Sequence, residues 1–131
     1  MEVVEKAKKI IIQEIPKVLA IYLFGSYATG SQSERSDLDL AVFCDEKLDK
    51  EKLFDISQKI AISINIEVDL IDLLDASTVF AFQIIHEGKI IYGVDEKKKK
   101  IFESKIDSMY LRLYDTRKDI IENVKKRKGV Y

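Results

Sequence analysis

The sequence predicts an α/β fold: a small mixed β-sheet of about four strands, helices packed on one of its faces, and a long C-terminal helix. Two observations predict it. Apolar stretches of strand length alternate with stretches whose apolar residues recur at helical spacing. Their order is helix, strand, strand, helix, strand, helix, strand, helix, which suits a mixed sheet. A length of 131 residues, without internal repeat, linker or low-complexity segment, fits a single domain over 1–131. Its core runs over about 18–93, and the last helix over about 95–128.

Each element has its own signal. Val4, Ala7, Ile11 and Ile15 mark an amphipathic helix over 3–15 that stops before Pro16. Residues 18–24 are apolar, branched and aromatic, as a buried strand requires. Gly25 and Ser26 end it, and 27–36 read as a turn or short helix followed by a loop. Residues 37–43 form a second strand, and Leu53, Ile56, Ile60 and Ile64 give one face of a helix over 49–64. A third strand covers 66–73. Asp75 is the candidate N-cap of a helix over 76–87 that ends at Gly88. A fourth strand spans 89–92. In the final helix the expected inner stripe is Ile101, Ile106, Met109, Leu113, Ile120 and Val124. Asp95 and Glu96 at its start, and the basic run from Lys125 to Lys128 at its end, suit the helix dipole.

Composition bounds the function. Hydrophobic residues make up 47% and charged residues 34% of the chain, as in a globular domain with a real core. The net charge of -1 gives no global argument for nucleic-acid binding. Cys44, the single cysteine, excludes an internal disulfide and points to a reducing compartment. The first residues lack a signal-peptide pattern, and no apolar run is long enough to span a bilayer, so a cytoplasmic location is expected.

The chemistry concentrates between Gly25 and Phe43. Asp37 and Asp39 head an apolar strand, and residues two apart share a face, with Cα atoms about 6.5–7 Å apart. Leu38, Leu40 and Val42 take the other face. In the third strand Ile66, Val68 and Leu70 are the apolar face and Glu67 and Asp69 oppose it. If helices cover the apolar faces, Asp37, Asp39 and Asp69 meet on the uncovered face. Asp72 has the wrong parity and is read as a strand-end residue, with Glu67 as a neighbour of the site. Three like charges on one face repel unless a cation sits among them. Hard oxygen donors suit magnesium, and two such ions serve in-line phosphoryl or nucleotidyl transfer. Gly25 lets a phosphate approach the backbone closely, and Ser26 adds a hydroxyl and an N–H. A Gly-Ser pair or a strand-opening Asp alone is usually only a turn or cap. Gly, Ser, ten residues, Asp, one residue, Asp recurs by chance at roughly one in 10⁵ start positions.

At these residues the sequence resembles the DNA polymerase β-like nucleotidyltransferase superfamily. The length and the stretch Val68 to Gly93 resemble its minimal nucleotidyltransferase branch, and within it the antitoxins of HEPN–MNT (type VII) toxin–antitoxin pairs. The resemblance implies Asp37 and Asp39 as ligands of two magnesium ions. It implies Asp69 as the third ligand and the group that helps deprotonate an attacking hydroxyl. Gly25 and Ser26 would hold the triphosphate of ATP. The implied acceptor is a tyrosine of a partner HEPN ribonuclease toxin, silenced by the AMP it receives within a hetero-oligomer. Direct nucleic-acid binding and a membrane role are not expected. One departure stands out: the family often carries an arginine soon after Gly-Ser, and here Tyr27 and Thr29 hold those positions, with Arg35 as a substitute. Two further readings remain open, an antitoxin acting by stoichiometric binding without catalysis and a small-molecule nucleotidyltransferase.

Other residues have plainer readings. His86, the single histidine, suits a capping or surface role, and Cys44 a small buried hydrophobe. Tyr110 and Tyr114 are four apart, as core packing or a partner face would have them. The runs Lys97–Lys100 and Lys125–Lys128 suit solvated helix faces.

Overall fold

A computed structural model describes residues 2–128, with side chains through residue 114. Helix α1 covers Glu2–Glu14, strand β1 Ala20–Phe24, a short helix α2 Ser26–Thr29, and β2 Leu38–Phe43. Helix α3 spans Lys50–Ile64, β3 Val68–Asp72, α4 Thr78–Glu87, β4 Lys89–Gly93 and α5 Glu96–Lys128. A 3-10 turn over Leu73–Asp75 joins β3 to α4. The four strands lie in the order β3-β2-β1-β4. β1 runs antiparallel to both β2 and β4, and β2 runs parallel to β3, joined by the α3 crossover. This is the mixed four-stranded sheet, ending in a long helix, that the pattern of the sequence predicts.

One face of the sheet carries the larger core. Ile21, Leu23, Leu38, Leu40, Val42 and Leu70 pack there against Val4, Ala7 and Ile11 of α1 and Ile56 and Ile60 of α3. Tyr27 and Ala28 of α2 join this cluster, so the turn after β1 is anchored by its own side chains. Burying each large aliphatic side chain contributes about 1.5–3 kcal/mol.

The helices do not keep to that face. Ala20, Tyr22, Ala41 and Phe43 point the other way and are covered by Ala81 and Ile84 of α4 and Phe102 and Ile106 of α5. The physical reason lies in β1 and the end of β2, which are apolar on both faces and so require cover on both. The face carrying the acids is therefore open only at one end.

α5 also differs from its expected phase. Phe102 and Ile106 are buried, whereas Ile101 is 59% exposed and Leu113 and Met109 stand in solvent. The buried side of the helix includes a cation, Lys99, at 6% exposure. Its Nζ pairs with Glu96 at 3.3 Å and Glu103 at 3.4 Å, and the Tyr22 hydroxyl donates to Glu103 Oε2 at 2.8 Å. Burial first, and then Glu103, push the Tyr22 hydroxyl above the ordinary phenol range, so it remains a donor. Ile120, Val124 and the Lys125–Lys128 side chains lie outside the described residues. Lys97–Lys100 is no uniform solvated face, because Lys99 is buried and Lys98 pairs with Asp45 at 2.8 Å.

Caps explain two helix boundaries. Ser77, not Asp75, caps α4, its hydroxyl accepting from Phe80 N at 3.1 Å; Asp75 is taken up in the 3-10 turn. Gly88 ends α4 without a left-handed residue. A Cβ there would meet the carbonyl oxygens of Ile84 at 2.5 Å and Leu23 at 2.9 Å, so close approach to β1 demands glycine. Asp95 Oδ1 accepts from Lys98 N and opens α5. Among the described residues no helix is long and apolar enough to cross a membrane.

Candidate functional site

The open end of the acid-bearing face is built by three adjacent strands. In the ladders Phe24 faces Asp39 and Asp39 faces Asp69, so all three share one row across β1, β2 and β3. Asp37 stands just before β2, exposed, and Asp69 is exposed beside the half-buried Asp39. Burial raises the Asp39 carboxyl above the usual carboxylate range, and the negative charges of Asp69 and then Asp37 raise it further. Asp39 thus lies within electrostatic reach of both other acids. The three side chains do not converge on a point, since among the described residues no three His, Cys, Asp or Glu groups gather closely enough to enclose an ion. The donor chemistry nonetheless fits a hard divalent cation: carboxylates on adjacent strands, one of them raised by burial and by its acidic neighbours, with room in front of them.

Gly25 is fixed by two constraints. Its φ of 71° and ψ of -156° lie in a region open essentially to glycine alone. A Cβ built there would collide with Asp39 Oδ2. The glycine turn and the central acid are therefore one packed unit, in which the backbone lies directly against the carboxylate. Ser26 opens α2, its carbonyl accepting from Ser31 N at 3.0 Å and Thr29 Oγ1 at 3.2 Å.

The two positions after Gly25-Ser26 where the resemblance implies an arginine do other work. Tyr27 is buried in the core, and Thr29 closes the α2 turn on Ser26 and Ser31. Arg35 is exposed in the loop before β2, its main-chain N–H donating to Ser33 Oγ at 3.4 Å.

Asp72 is excluded from the site by more than parity. It lies opposite Val42, on the other face from Asp69, and is 5% exposed. Its Oδ2 accepts from Leu48 N at 2.8 Å and its Oδ1 from Leu74 N at 3.0 Å. It ties the loop before α3 to the end of β3. Glu67 precedes β3 and is exposed, its carbonyl accepting from Leu38 N.

Two hollows flank the row of acids. One, of about 390 Å³, lies between the glycine turn and α4 and is lined by Phe24, Gly25, Ser26, Thr29, Phe80 and Gln83. Phe24 and Phe80 meet edge to face with centroids 5.7 Å apart. The other, of about 450 Å³, follows the free edge of β3, with Asp69, Ile71, Leu53 and Phe54 among its walls. The α4 wall was not visible in the sequence, because Phe80 and Gln83 join the site only through packing; the apolar second face of β1 was the available signal. His86 sits away from it, Nε2 2.6 Å from Asp107 Oδ1, bridging α4 to α5. Cys44 is buried, its thiol pushed up to about 11 chiefly by desolvation.

The glycine turn packed on Asp39 and the in-register Asp69 both lie in a stretch that matches a known family of nucleotidyltransferases. Residues 5–97 match the polymerase β nucleotidyltransferase family, and the chain belongs to it. It is similar to the protein adenylyltransferase MntA of Shewanella oneidensis, 40% identical over 91% of this chain and 85% of that protein. A crystal structure of a toxin–antitoxin with AMP-PNP superimposes with a TM-score of 0.82 at 39% identity, covering 92% of this chain and 96% of that one. An MNT antitoxin in complex with a tri-AMPylated Shewanella oneidensis HEPN toxin gives 0.76 at 36% identity, over 95% and 98% of the two chains.

Proposed function

We propose that this chain is the antitoxin of a toxin–antitoxin pair and an ATP-dependent protein adenylyltransferase that moves AMP onto a tyrosine of a HEPN-type toxin. The observation that carries the reading is the row Phe24, Asp39, Asp69, with Gly25 pressed against Asp39. The likeness to MntA over nine-tenths of the chain supports the acceptor class. In this reading residues 1–131 act as one domain in the cytoplasm, in keeping with one cysteine that is reduced and buried.

Asp37, Asp39 and Asp69 would hold magnesium, which when bound neutralises phosphate charge on the attacking and leaving sides. Gly25 and Ser26 present main chain and hydroxyl to the triphosphate, and the hollow under α4 receives the nucleotide. The tyrosine oxygen attacks the α-phosphorus as the bond to the β-phosphate oxygen breaks, and pyrophosphate leaves. The phenolic proton passes to the Asp69 carboxylate, which is exposed and free of hydrogen bonds from described residues. Incubating the chain with labelled ATP, magnesium and a HEPN-type toxin partner should label that toxin. Absence of label with a folded, ATP-binding chain would sink the reading.

One observation favours the non-catalytic alternative. The positions expected to supply a phosphate-binding arginine are a buried tyrosine and a turn-closing threonine. The variant Asp37→Ala/Asp39→Ala separates the two: on the catalytic reading it no longer protects cells from the toxin.

A further inference from the structure

We infer that the free edge of β3 is the acceptor dock: a tyrosine-bearing segment of the partner lies along it as an added strand, anchored by Phe54. The inference rests on the adenylyltransferase reading and deepens it.

The order of strands assigns the sides. Reading across the sheet, the glycine turn follows β1, Asp39 is on β2 and Asp69 is on β3. The nucleotide hollow lies on the β1 side, between Gly25 and α4. An in-line attack brings the nucleophile from the side opposite the leaving group. The acceptor hydroxyl then arrives from the β3 side, where Asp69 is the outermost acid of the row.

That side holds a ready-made surface. Among the described residues β3 has a strand partner, β2, on one side only. Glu67 O accepts from Leu38 N, and in a parallel ladder the inward bonds recur at every second residue. Val68 and Leu70 therefore turn their main-chain N–H and C=O outward, toward the groove. A bare edge of this kind is a template for another strand, and peptide recognition by strand addition uses it. The groove along it begins at Asp69 and runs toward Asp75, where Lys47 and Lys50 approach that carboxylate at 3.7 and 3.6 Å and close the far end. Its α3 wall presents Phe54, 54% exposed although its neighbours Leu53 and Ile56 turn inward. Exposed aromatics of this kind serve as interface anchors.

Alternation of side chains makes the occupant specific. On an added strand the acceptor tyrosine shares the face of Asp69 and Ile71. Residues at odd spacing from it turn to the other face, onto Leu53 and Phe54. The dock thus selects an extended segment with a tyrosine and an apolar residue one or three positions away.

The test uses the full chain with a HEPN-type toxin that the chain labels. Phe54→Ala should raise KM for that protein about tenfold or more, with kcat at saturation, affinity for ATP and thermal midpoint unchanged. A KM equal to that of the unaltered chain overturns the dock while leaving the adenylyltransferase reading intact. Failure of the unaltered chain to label any HEPN-type toxin removes both. Independently, p-benzoylphenylalanine introduced at position 54 should, on irradiation, cross-link within a few residues of the partner's modified tyrosine. A cross-link confined to another region of the partner overturns the dock.

Discussion

Asp69 and Asp72 lie three residues apart on one strand and have opposite fates. Asp72 points into the larger core, is buried, and accepts from two main-chain amides that bracket the loop before α3 and the turn after β3. Asp69 points to the open face, is exposed, and has the partly desolvated Asp39 as its neighbour. The first is satisfied by the protein; the second leaves its oxygens for something else. The comparison teaches that a carboxylate's role here follows from strand parity and available donors, and that sequence distance from the motif says little.

The sharpest way to break this comparison is to neutralise one acid of each kind. Asp39→Asn keeps the shape and removes a charge that its neighbours oppose. Label transfer should fall by about 10³-fold or more, since metal-held charge contributes several kcal/mol at about 1.4 kcal/mol per tenfold. The far-UV spectrum should be retained and the thermal midpoint should not fall. A loss of folding in this variant would place Asp39 in the structural class with Asp72.

Asp72→Ala should do the reverse. It orphans the amides of Leu48 and Leu74, and leaving buried donors unsatisfied costs about 1–3 kcal/mol. For a domain of this size that lowers the thermal midpoint by roughly 4–15 °C. Transfer per folded molecule should be unchanged, as kcat measured well below the midpoint will check.

Gly25→Ala tests the unit formed by turn and acid. The positive φ and the contact with Asp39 cannot both be kept, so the backbone or the carboxylate shifts. The expected cost is about 1–3 kcal/mol of strain, with transfer reduced by at least tenfold, because Asp39 is displaced. Gly30→Ala is the control: it shares a positive φ but a Cβ there meets nothing within 4 Å, so stability drops without loss of transfer.

Much of this was legible in the sequence, and the reasons are specific. The period of two in 37–43 and in 66–72 was enough to put Asp39 and Asp69 on one face and Asp72 on the other, because a strand's parity is rigid. The second helical layer was missed although β1 is apolar on both faces, which a strand covered on one side has no reason to be. The phase of α5 was unreadable because apolar residues surround it: Ile101, Phe102, Ile106, Met109, Leu111 and Leu113 leave no single stripe. Its packing brings Glu103, which Lys99 pairs with, to the Tyr22 hydroxyl, a polar contact across 81 positions that periodicity cannot register. The α4 cap went to Ser77 because the 3-10 turn had already consumed Asp75.

The smallest expected effect concerns pH. The Asp39 carboxyl is raised above its ordinary value of 3.8, first by burial and then by Asp69 and Asp37. For an acid raised on folding, the folded state binds its proton more tightly than the unfolded chain. The stability this gives is full below the unfolded value and is lost as pH climbs through the folded one. In chelator, the midpoint of the unaltered chain should therefore fall relative to that of Asp39→Asn as pH rises from the ordinary aspartate range toward neutrality. At the acid end the two should converge. Adding magnesium at neutral pH should restore the unaltered chain and leave Asp39→Asn nearly unmoved, because the cation offsets a repulsion that the variant no longer has. Asp72→Asn in the same titration should show no magnesium-specific loss, since its two amide donors lie on the far face of β3. An equal magnesium response from Asp39→Asn and the unaltered chain would mean that the ion binds without Asp39, and the row of acids would lose its central member.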